Sequence, residues 1–183
     1  QQCFYHVNMQ SMQCLSMHRD SCCLFSKHPG NFSEVDHAIN LIPLRIEPKV
    51  SLKVLLKSFS YPMNVLRYTQ SNALSSLQSE DSKNQFDVVI CDGFYALSII
   101  PRAWFTSKRV IYRSHNLEYE HWKQRAMLEP WYLRRFYKRI SRQLYALEQT
   151  LVKACSVVLS ISHEETRQLS QWNNNTRTWY PRI

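Results

Sequence analysis

Three short apolar runs of this chain each end in residues that could bind a ligand or move a proton. Residues 87–91 lead into Asp92, Gly93 and Phe94, residues 109–113 end in Arg113 and lead into Ser114, His115, Asn116 and Glu118, and residues 156–160 lead into Ser162 and Glu165. If the runs are parallel strands, their carboxyl ends share one edge of a sheet, where loops diverge and helix N-termini attract anions. The sequence therefore predicts a ligand site on that edge, with these substrate contacts: Asp92, Gly93, Phe94, Arg113, Ser114, Asn116, Glu118 and Ser162.

His115 is the candidate for a catalytic role, because imidazole can donate, accept or shuttle a proton near neutral pH. In the alternative interpretation, His115 caps the helix that begins near Leu117 or bonds a neighbouring carbonyl. The remaining six histidines are scattered without the spacing of metal ligands. No metal is therefore expected at the site.

The neighbours of His115 also have structural interpretations. Asn116 is expected to be a helix N-cap first and a ligand contact second, and Glu118 could stabilise the same helix start electrostatically. Ser162 and Glu165 have the spacing of a capping box. Asp92 and Gly93 could form a tight turn whose glycine lets a ligand approach closely.

The hydrophobic periodicities predict alternating helices and strands. They indicate helices at 4–18, 51–59, 63–78, 94–101, 117–128, 131–154 and 163–171, and strands at 22–26, 41–46, 87–91, 109–113, 156–160 and 177–180, with a polar loop at 79–86. The strongest strands are unbroken apolar runs, which is typical of parallel strands covered on both faces. The expected fold is therefore α/β, a Rossmann-like parallel sheet with helices on both faces.

Composition limits the class of protein. With 183 residues, 44% of them hydrophobic and 20% charged, the chain is long enough for one domain with a real core. The six cysteines show no CxxC or zinc spacing, so reduced thiols in a cytosolic protein are expected. Only Gly30 and Gly93 are glycine, which excludes a glycine-rich phosphate loop from the sequence.

Both ends of the sequence suggest a larger domain organisation. A doubly wound domain normally opens with a strand, whereas this chain opens in what is predicted to be the first helix. It closes at "TWYPRI", a predicted strand that leads into Pro181. We expect a first strand and its loop before Gln1, and further chain after Ile183.

The net charge of +9 predicts an anionic partner, and the helix predicted at 131–154 contains much of that charge. Its predicted core stripe comprises Leu133, Phe136, Tyr137, Ile140, Leu144, Leu147 and Leu151. The opposite face has Trp131 among Arg135, Lys138, Arg139 and Arg142, a combination that suits contact with an anionic membrane. A solvated charged face is the simpler alternative. Nucleic acid is a less favoured partner, because no recognised nucleic-acid motif accompanies the helix.

The segments "FDVVICDGFYAL" and "RVIYRSHNLEYEHW", the long basic helix and "ACSVVLSISHEETRQL" together resemble the N-terminal domain of glycosyltransferase family 4, the group 1 enzymes of the GT-B fold. "RSHNLE" is similar to the R-x-H-N-x-E stretch of that family, and "CSVVLSISHEE" is similar to its strand and helix containing Ser-x-x-Glu. The order and spacing of these segments support the resemblance more than any single motif does.

The resemblance implies a retaining transfer of a sugar from a nucleotide-activated donor, in a cleft between two Rossmann-like domains. Residues 1–183 would be the N-terminal, acceptor-side half, and His115 matches the family's pocket histidine, which contacts the sugar and phosphate region of the donor. The chain departs from the family in three ways. The glycine-rich loop after the first strand is absent, Ser156 stands where the family often has Asp, and the C-terminal donor-binding domain is not included. The chain alone is therefore expected to turn over little or no donor.

Two functions follow as alternatives. The first is the N-terminal domain of a hexosyltransferase-type glycosyltransferase that acts on a glycan or lipid-linked acceptor in cell-surface polysaccharide or glycoconjugate synthesis. It would use a nucleotide-sugar as donor substrate with no cofactor, and would be cytoplasmic, either free or peripheral on the inner face of the cytoplasmic membrane. The second is a non-enzymatic Rossmann-like module that binds a membrane surface or nucleic acid through its basic helix. The identities of the donor and the acceptor do not follow from the sequence.

Overall fold

A computed structural model describes residues 13–18, 21–26, 39–43, 57–69 and 73–179. The strands are β1 Gln13–His18, β2 Ser21–Ser26, β3 Ile39–Pro43, β4 Val88–Asp92, β5 Arg109–Arg113, β6 Val157–Ser160 and β7 Thr176–Thr178. The helices are α1 Met63–Thr69, α2 Ala73–Asn84, α3 Phe94–Ile99, α4 Trp104–Ser107, α5 Glu118–Leu128, α6 Trp131–Ala154 and α7 His163–Ser170.

One sheet takes its strands in the order β3-β2-β1-β4-β5-β6-β7. Strands β4 to β7 are all parallel, and their crossovers contain helices, so the predicted α/β fold with a parallel sheet is confirmed. The register pairs Asp92 with Arg113 and Arg113 with Leu159. The carboxyl ends of β4, β5 and β6 therefore meet on one edge, as the sequence predicted.

Strand β1 differs from the predicted pattern. A helix was predicted over 4–18, but residues 13–18 form a strand that pairs antiparallel with both β2 and β4. Pairing on both sides satisfies the backbone groups of β1, and such tertiary pairing overrides a weak local preference for helix. Residues 4–12 of that prediction lie outside the described residues.

Helix α2 extends through a segment predicted as a loop. Residues 79–84 continue the helix, and within it Lys83 pairs with Glu80 at 2.8 Å. Asp81 accepts a hydrogen bond from the Phe86 amide at 3.0 Å and pairs with Lys108 at 2.6 Å. These contacts connect the end of α2 to the start of β4 and β5.

The other predicted elements match less evenly. The helix predicted at 63–78 corresponds to α1 and the first part of α2, and residues 58–59 of the helix predicted at 51–59 form a turn. Helix α6 spans the predicted residues 131–154, directly after Pro130. Helix α3 ends at Ile99 instead of 101, because Ile100 precedes Pro101 and is extended. The single helical turn α4 was not predicted. Residues 44–46, 51–56, 70–72 and 180 of the predicted elements lie outside the described part.

The core lies between one face of the parallel strands and the helices. The strands contribute alternate residues, and α6 contributes the residues of its buried stripe. These strand positions are Val89, Cys91, Val110, Tyr112 and Val158. The alternate residues Ile90, Ile111 and Leu159, on the other face, are half-buried. Cys91 and Cys155 are buried and form no disulfide, as predicted, and no side chain is described for the other four cysteines.

Candidate functional site

Asp92 brings together two of the predicted site residues at the carboxyl edge. Arg113 Nη1 donates to Asp92 Oδ1 at 3.1 Å, and His115 Nε2 lies 2.7 Å from the same oxygen. We call Asp92, Arg113 and His115 the edge cluster. Their side chains are 18%, 19% and 28% exposed, so the cluster is held by the protein and still reachable from solvent.

The Arg113 guanidinium is fixed on a second side by Trp179, just after β7. The guanidinium lies 4.5 Å from the centre of the Trp179 ring, and the Trp179 amide donates to the Ser160 carbonyl at 2.8 Å. An arginine with both a carboxylate and an aromatic face as partners loses little freedom when it binds an anion. Arg113 thus contacts the end of β4 through Asp92 and the end of β7 through Trp179.

Gly93 joins the ends of the two central strands. Its amide donates to the Arg113 carbonyl at 2.9 Å, and its φ of 89° lies in the region that favours glycine. A Cβ at this position would lie 3.4 Å from His115 Cδ2, an ordinary contact. The backbone conformation therefore favours glycine at this position, which is the single residue between β4 and α3.

The loop that contains His115 is fixed from both ends. The Ser114 amide donates to the Leu159 carbonyl at 2.7 Å, and the buried Ser114 hydroxyl donates to the Asn116 carbonyl at 3.2 Å. Asn116 was expected to cap α5, and this expectation is wrong. The N-cap is Leu117, whose side chain makes no capping bond, and Asn116 is exposed beside His115.

Glu148 supplies the missing cap from helix α6. Its side chain is fully buried, and its two carboxyl oxygens accept the amides of Glu118 and Tyr119, each at 3.3 Å. Burial raises the pKa of Glu148 to about 8, and the two amides oppose that shift. A buried carboxyl group thus satisfies donors that a helix start otherwise leaves unpaired.

Glu118 belongs to the structural support of the loop. Its carboxylate accepts a bond from the Tyr95 hydroxyl at 3.3 Å, which connects α3 to the first turn of α5. Burial raises the pKa of Glu118, while Tyr95 and His121 oppose the shift. The Ser141 hydroxyl adds another connection by donating to the Tyr119 carbonyl at 2.8 Å.

A shallow open pocket of about 300 Å³ lies beside the loop, between α5 and α7. Its lining is polar except for one leucine: Asn116, Leu117, Glu120, His121, Gln124, Glu165 and Gln168. Carboxylates and amides of this kind can hydrogen-bond hydroxyl groups. Asn116 connects the pocket to the edge cluster, because it follows His115 directly.

The remaining predicted contacts have structural positions. Phe94 is buried in the core, 2% exposed, and Ser162 caps α7 by accepting the Glu165 amide at 3.2 Å. The capping prediction for Ser162 is confirmed. Burial raises the pKa of Glu165, and the nearby His115 opposes that shift.

The predicted membrane-contact residues of α6 are all exposed, but they differ in their partners. Arg139 donates to the Phe59 carbonyl and lies 5.0 Å from the centre of its ring, so it secures residues 57–61. Trp131, Arg135, Lys138 and Arg142 lie on the solvent face, as predicted.

The predicted core stripe of α6 is only partly correct. Ile140, Leu144, Leu147 and Leu151 are buried, whereas Leu133 is 37% and Phe136 is 45% exposed. The apolar face continues toward the N-terminus of α6 beyond the point where the core covers it.

Three supporting residues were missed by sequence reasoning: Glu148, Tyr95 and Trp179. Each lies on a different element from its partner and at least 23 positions away in the chain. Glu148 gave the weakest signal, because a glutamate in a helix normally faces solvent. The position of Trp179 inside the strand predicted at 177–180 was the one feature that could have marked it.

No group of three or more potential metal ligands occurs among the described residues, and none of their helices is long and apolar enough to cross a membrane. A scan against models of known protein families finds no match, and no curated protein matches the sequence.

Proposed function

We propose that residues 1–183 form the acceptor-side domain of a retaining glycosyltransferase. The intact enzyme would transfer a sugar from a nucleotide-sugar to a glycan or lipid-linked acceptor in cell-surface polysaccharide or glycoconjugate synthesis. The observation that supports this most is the edge cluster, in which Arg113 and His115 converge on Asp92 at the carboxyl ends of β4 and β5. This is the edge of a parallel sheet where phosphate-containing ligands bind.

The edge cluster has suitable groups for a donor that contains both phosphate and hydroxyl groups. Arg113 offers a planar cation that is already oriented by Asp92 and Trp179, and His115 offers ring nitrogens that can donate to phosphate or sugar oxygens. In the transfer, the bond between the anomeric carbon and the phosphate oxygen breaks. A bond to the acceptor oxygen forms, and the nucleotide leaves with the acceptor proton.

His115 would contact the sugar and phosphate region of the donor, and Asp92 would position both Arg113 and His115. Gly93, Ser114 and Asn116 would shape the rim through their backbone groups, and the pocket beside Asn116 would hold acceptor hydroxyls. The proposal requires no metal or cofactor. It places the enzyme in the cytoplasm, where nucleotide-sugars are substrates.

The test compares the two arginines at opposite ends of strand β5 in the intact protein. Arg113→Gln is expected to lower kcat/KM with a nucleotide-sugar by about 100-fold, since removal of one preorganised donor has effects of that size. Arg109→Gln is the matched control, because Arg109 is exposed at the other end of the strand, and its turnover should be unchanged. His115→Ala should behave like Arg113→Gln.

Normal turnover by both Arg113→Gln and His115→Ala would remove the edge cluster from the active site.

A second function is favoured by the exposed cations of α6, Arg135, Lys138 and Arg142. It is a non-enzymatic module that binds an anionic partner, a membrane surface or, less favoured, nucleic acid. An intact protein that turns over none of a broad panel of nucleotide-sugars, yet binds an anionic partner through α6, would support that second function.

A further inference from the structure

The α5–α6 hairpin ends in an exposed apolar surface that the core does not use. Leu128 is 85% and Trp131 is 80% exposed, and the neighbouring apolar residues are also open to solvent. We define the hairpin tip as these six residues: Met127, Leu128, Trp131, Tyr132, Leu133 and Phe136. Large apolar side chains that cluster on a surface mark a site of interaction, because burying each of them against a partner is favourable.

The hairpin tip is a packed structure. Immediately behind it, the rings of Trp122 and Tyr137 stack at 5.6 Å with an interplanar angle of 15°. The Arg125 guanidinium, on α5, lies over the Tyr137 ring, on α6, at 5.8 Å from its centre, and pairs with Glu129 at 2.8 Å. The exposed apolar residues are therefore presented by two helices that are held together at their base.

The charges next to the hairpin tip have one sign. Helix α6 contains Arg134, Arg135, Lys138, Arg139 and Arg142, and no acidic residue occurs from Pro130 to Leu147. Arg134, Arg135, Lys138 and Arg142 are exposed. We call these four residues the cationic belt. The one acidic residue at the turn, Glu129, is already paired with Arg125.

The order of the two surfaces along the hairpin is informative. The hairpin tip occupies residues 127–136 and the cationic belt residues 134–142. Trp131 and Lys138 are separated by about 10 Å along the helix axis at the usual rise of an α-helix. An interfacial protein buries apolar groups about 5–10 Å deep at the boundary of headgroups and acyl chains, while its cations remain among the phosphates.

We propose that the hairpin tip inserts into the interface of a bilayer that contains anionic lipids, with the cationic belt contacting the phosphate headgroups. A membrane could contact both surfaces, because the apolar residues would lie in the interface while the cations reach the phosphates. Nucleic acid would pair with the cations but leave Leu128, Met127 and Phe136 exposed. The surface would be present whether or not the edge cluster binds a sugar donor, so its test is independent of the proposed enzyme activity.

The experiment measures co-sedimentation of the intact protein with phosphatidylcholine vesicles, with and without phosphatidylglycerol. Leu128→Gln/Trp131→Gln is expected to weaken binding about tenfold or more, because it removes the inserted apolar groups. Leu128→Met/Trp131→Phe keeps that apolar area and should bind like the wild type. Both residues are highly exposed, so the folded state should tolerate either pair of changes.

Charge is tested separately with a matched pair of variants. Arg135→Gln/Lys138→Gln should weaken binding to phosphatidylglycerol vesicles by about fivefold per cation, hence about 25-fold. The control Arg109→Gln/Lys153→Gln removes the same charge from exposed positions outside the cationic belt, and should bind almost normally. The wild type should bind phosphatidylcholine alone much more weakly.

Three outcomes would overturn the proposal. The first is unchanged vesicle binding by the two glutamine variants of the hairpin. The second is equal losses in the belt variant and its matched control. The third is that Leu128→Gln/Trp131→Gln still binds vesicles but loses self-association in solution or binding to nucleic acid.

Discussion

The edge cluster and the hairpin tip are both rich in polar or aromatic groups, yet they are built in opposite ways. At the edge, Arg113 has a carboxylate and an indole ring as partners, and the loop around His115 is fixed by hydrogen bonds of Ser114 and Glu148. At the hairpin tip, Leu128 and Trp131 are almost fully exposed. Internal pairing orients side chains for a small ligand, whereas an unpaired apolar surface requires a large partner.

The edge cluster and the hairpin tip are held in place by different parts of the molecule. Asp92 and Arg113 end strands β4 and β5, and His115 lies on a loop that depends on residues deep in the core, among them the fully buried Glu148. The hairpin tip is held at its base by the stacking of Trp122 and Tyr137 and by the contacts of Arg125 with Tyr137 and Glu129. Substitutions should therefore change folding stability strongly behind the edge and weakly at the tip.

The largest expected difference is between Glu148→Ala and Trp131→Ala. Glu148→Ala leaves the amides of Glu118 and Tyr119 without their acceptor and creates a cavity, so we expect a loss of about 4 kcal/mol in the free energy of unfolding. Trp131→Ala should change it by less than about 0.5 kcal/mol. Chemical denaturation of both variants measures the difference, and comparable losses would contradict the contrast.

The elements that could be predicted from the sequence are those that local residue patterns determine. Helix α6 and strand β5 were predicted at their observed bounds, because a long amphipathic period and a short apolar run are local signals. The meeting of Asp92, Arg113 and His115 also followed, since parallel strands bring their carboxyl ends to one edge. These predictions need only the order and direction of the elements.

The features that failed depend on neighbours distant in sequence. Periodicity placed Leu133 and Phe136 in the core stripe of α6, but both are exposed, because periodicity does not tell where the covering core ends. The side chain that caps α5 is Glu148, 30 positions from the amide it accepts, so the local candidate Asn116 was chosen instead. Strand β1 is fixed by pairing with β2 and β4, which local preference for helix did not indicate.

The second expected effect is a pH dependence of stability that originates behind the edge. Folding raises the pKa of Glu148 from its ordinary value of 4.5 to about 8, chiefly through burial. Between these values the folded state keeps a proton that the unfolded state has released. Stability should therefore fall as pH rises through this window, by about 1.4 kcal/mol at most for each pH unit.

Glu148→Gln removes the titrating group while keeping an acceptor for one amide. Its unfolding free energy should vary much less between pH 5 and pH 8 than that of the wild type. Some slope of the same sign should remain, because burial also raises the pKa of Glu118 and Glu165. Thermal unfolding across that range measures both slopes, and identical slopes would exclude Glu148 as their main source.

The smallest expected effect concerns Gly93, where the edge depends on a single backbone conformation. Gly93→Ala should lower the free energy of unfolding by about 1 kcal/mol, because alanine is strained at a φ of 89°, whereas the new methyl group meets His115 at an ordinary distance of 3.4 Å. Gly93→Asn should cost at least as much, because a φ of 89° with a ψ of 158° lies in the region that is open almost only to glycine, outside the left-handed helical region that asparagine tolerates. Denaturant titration gives both values. If both variants are as stable as the wild type, the positive φ at Gly93 does not hold the edge.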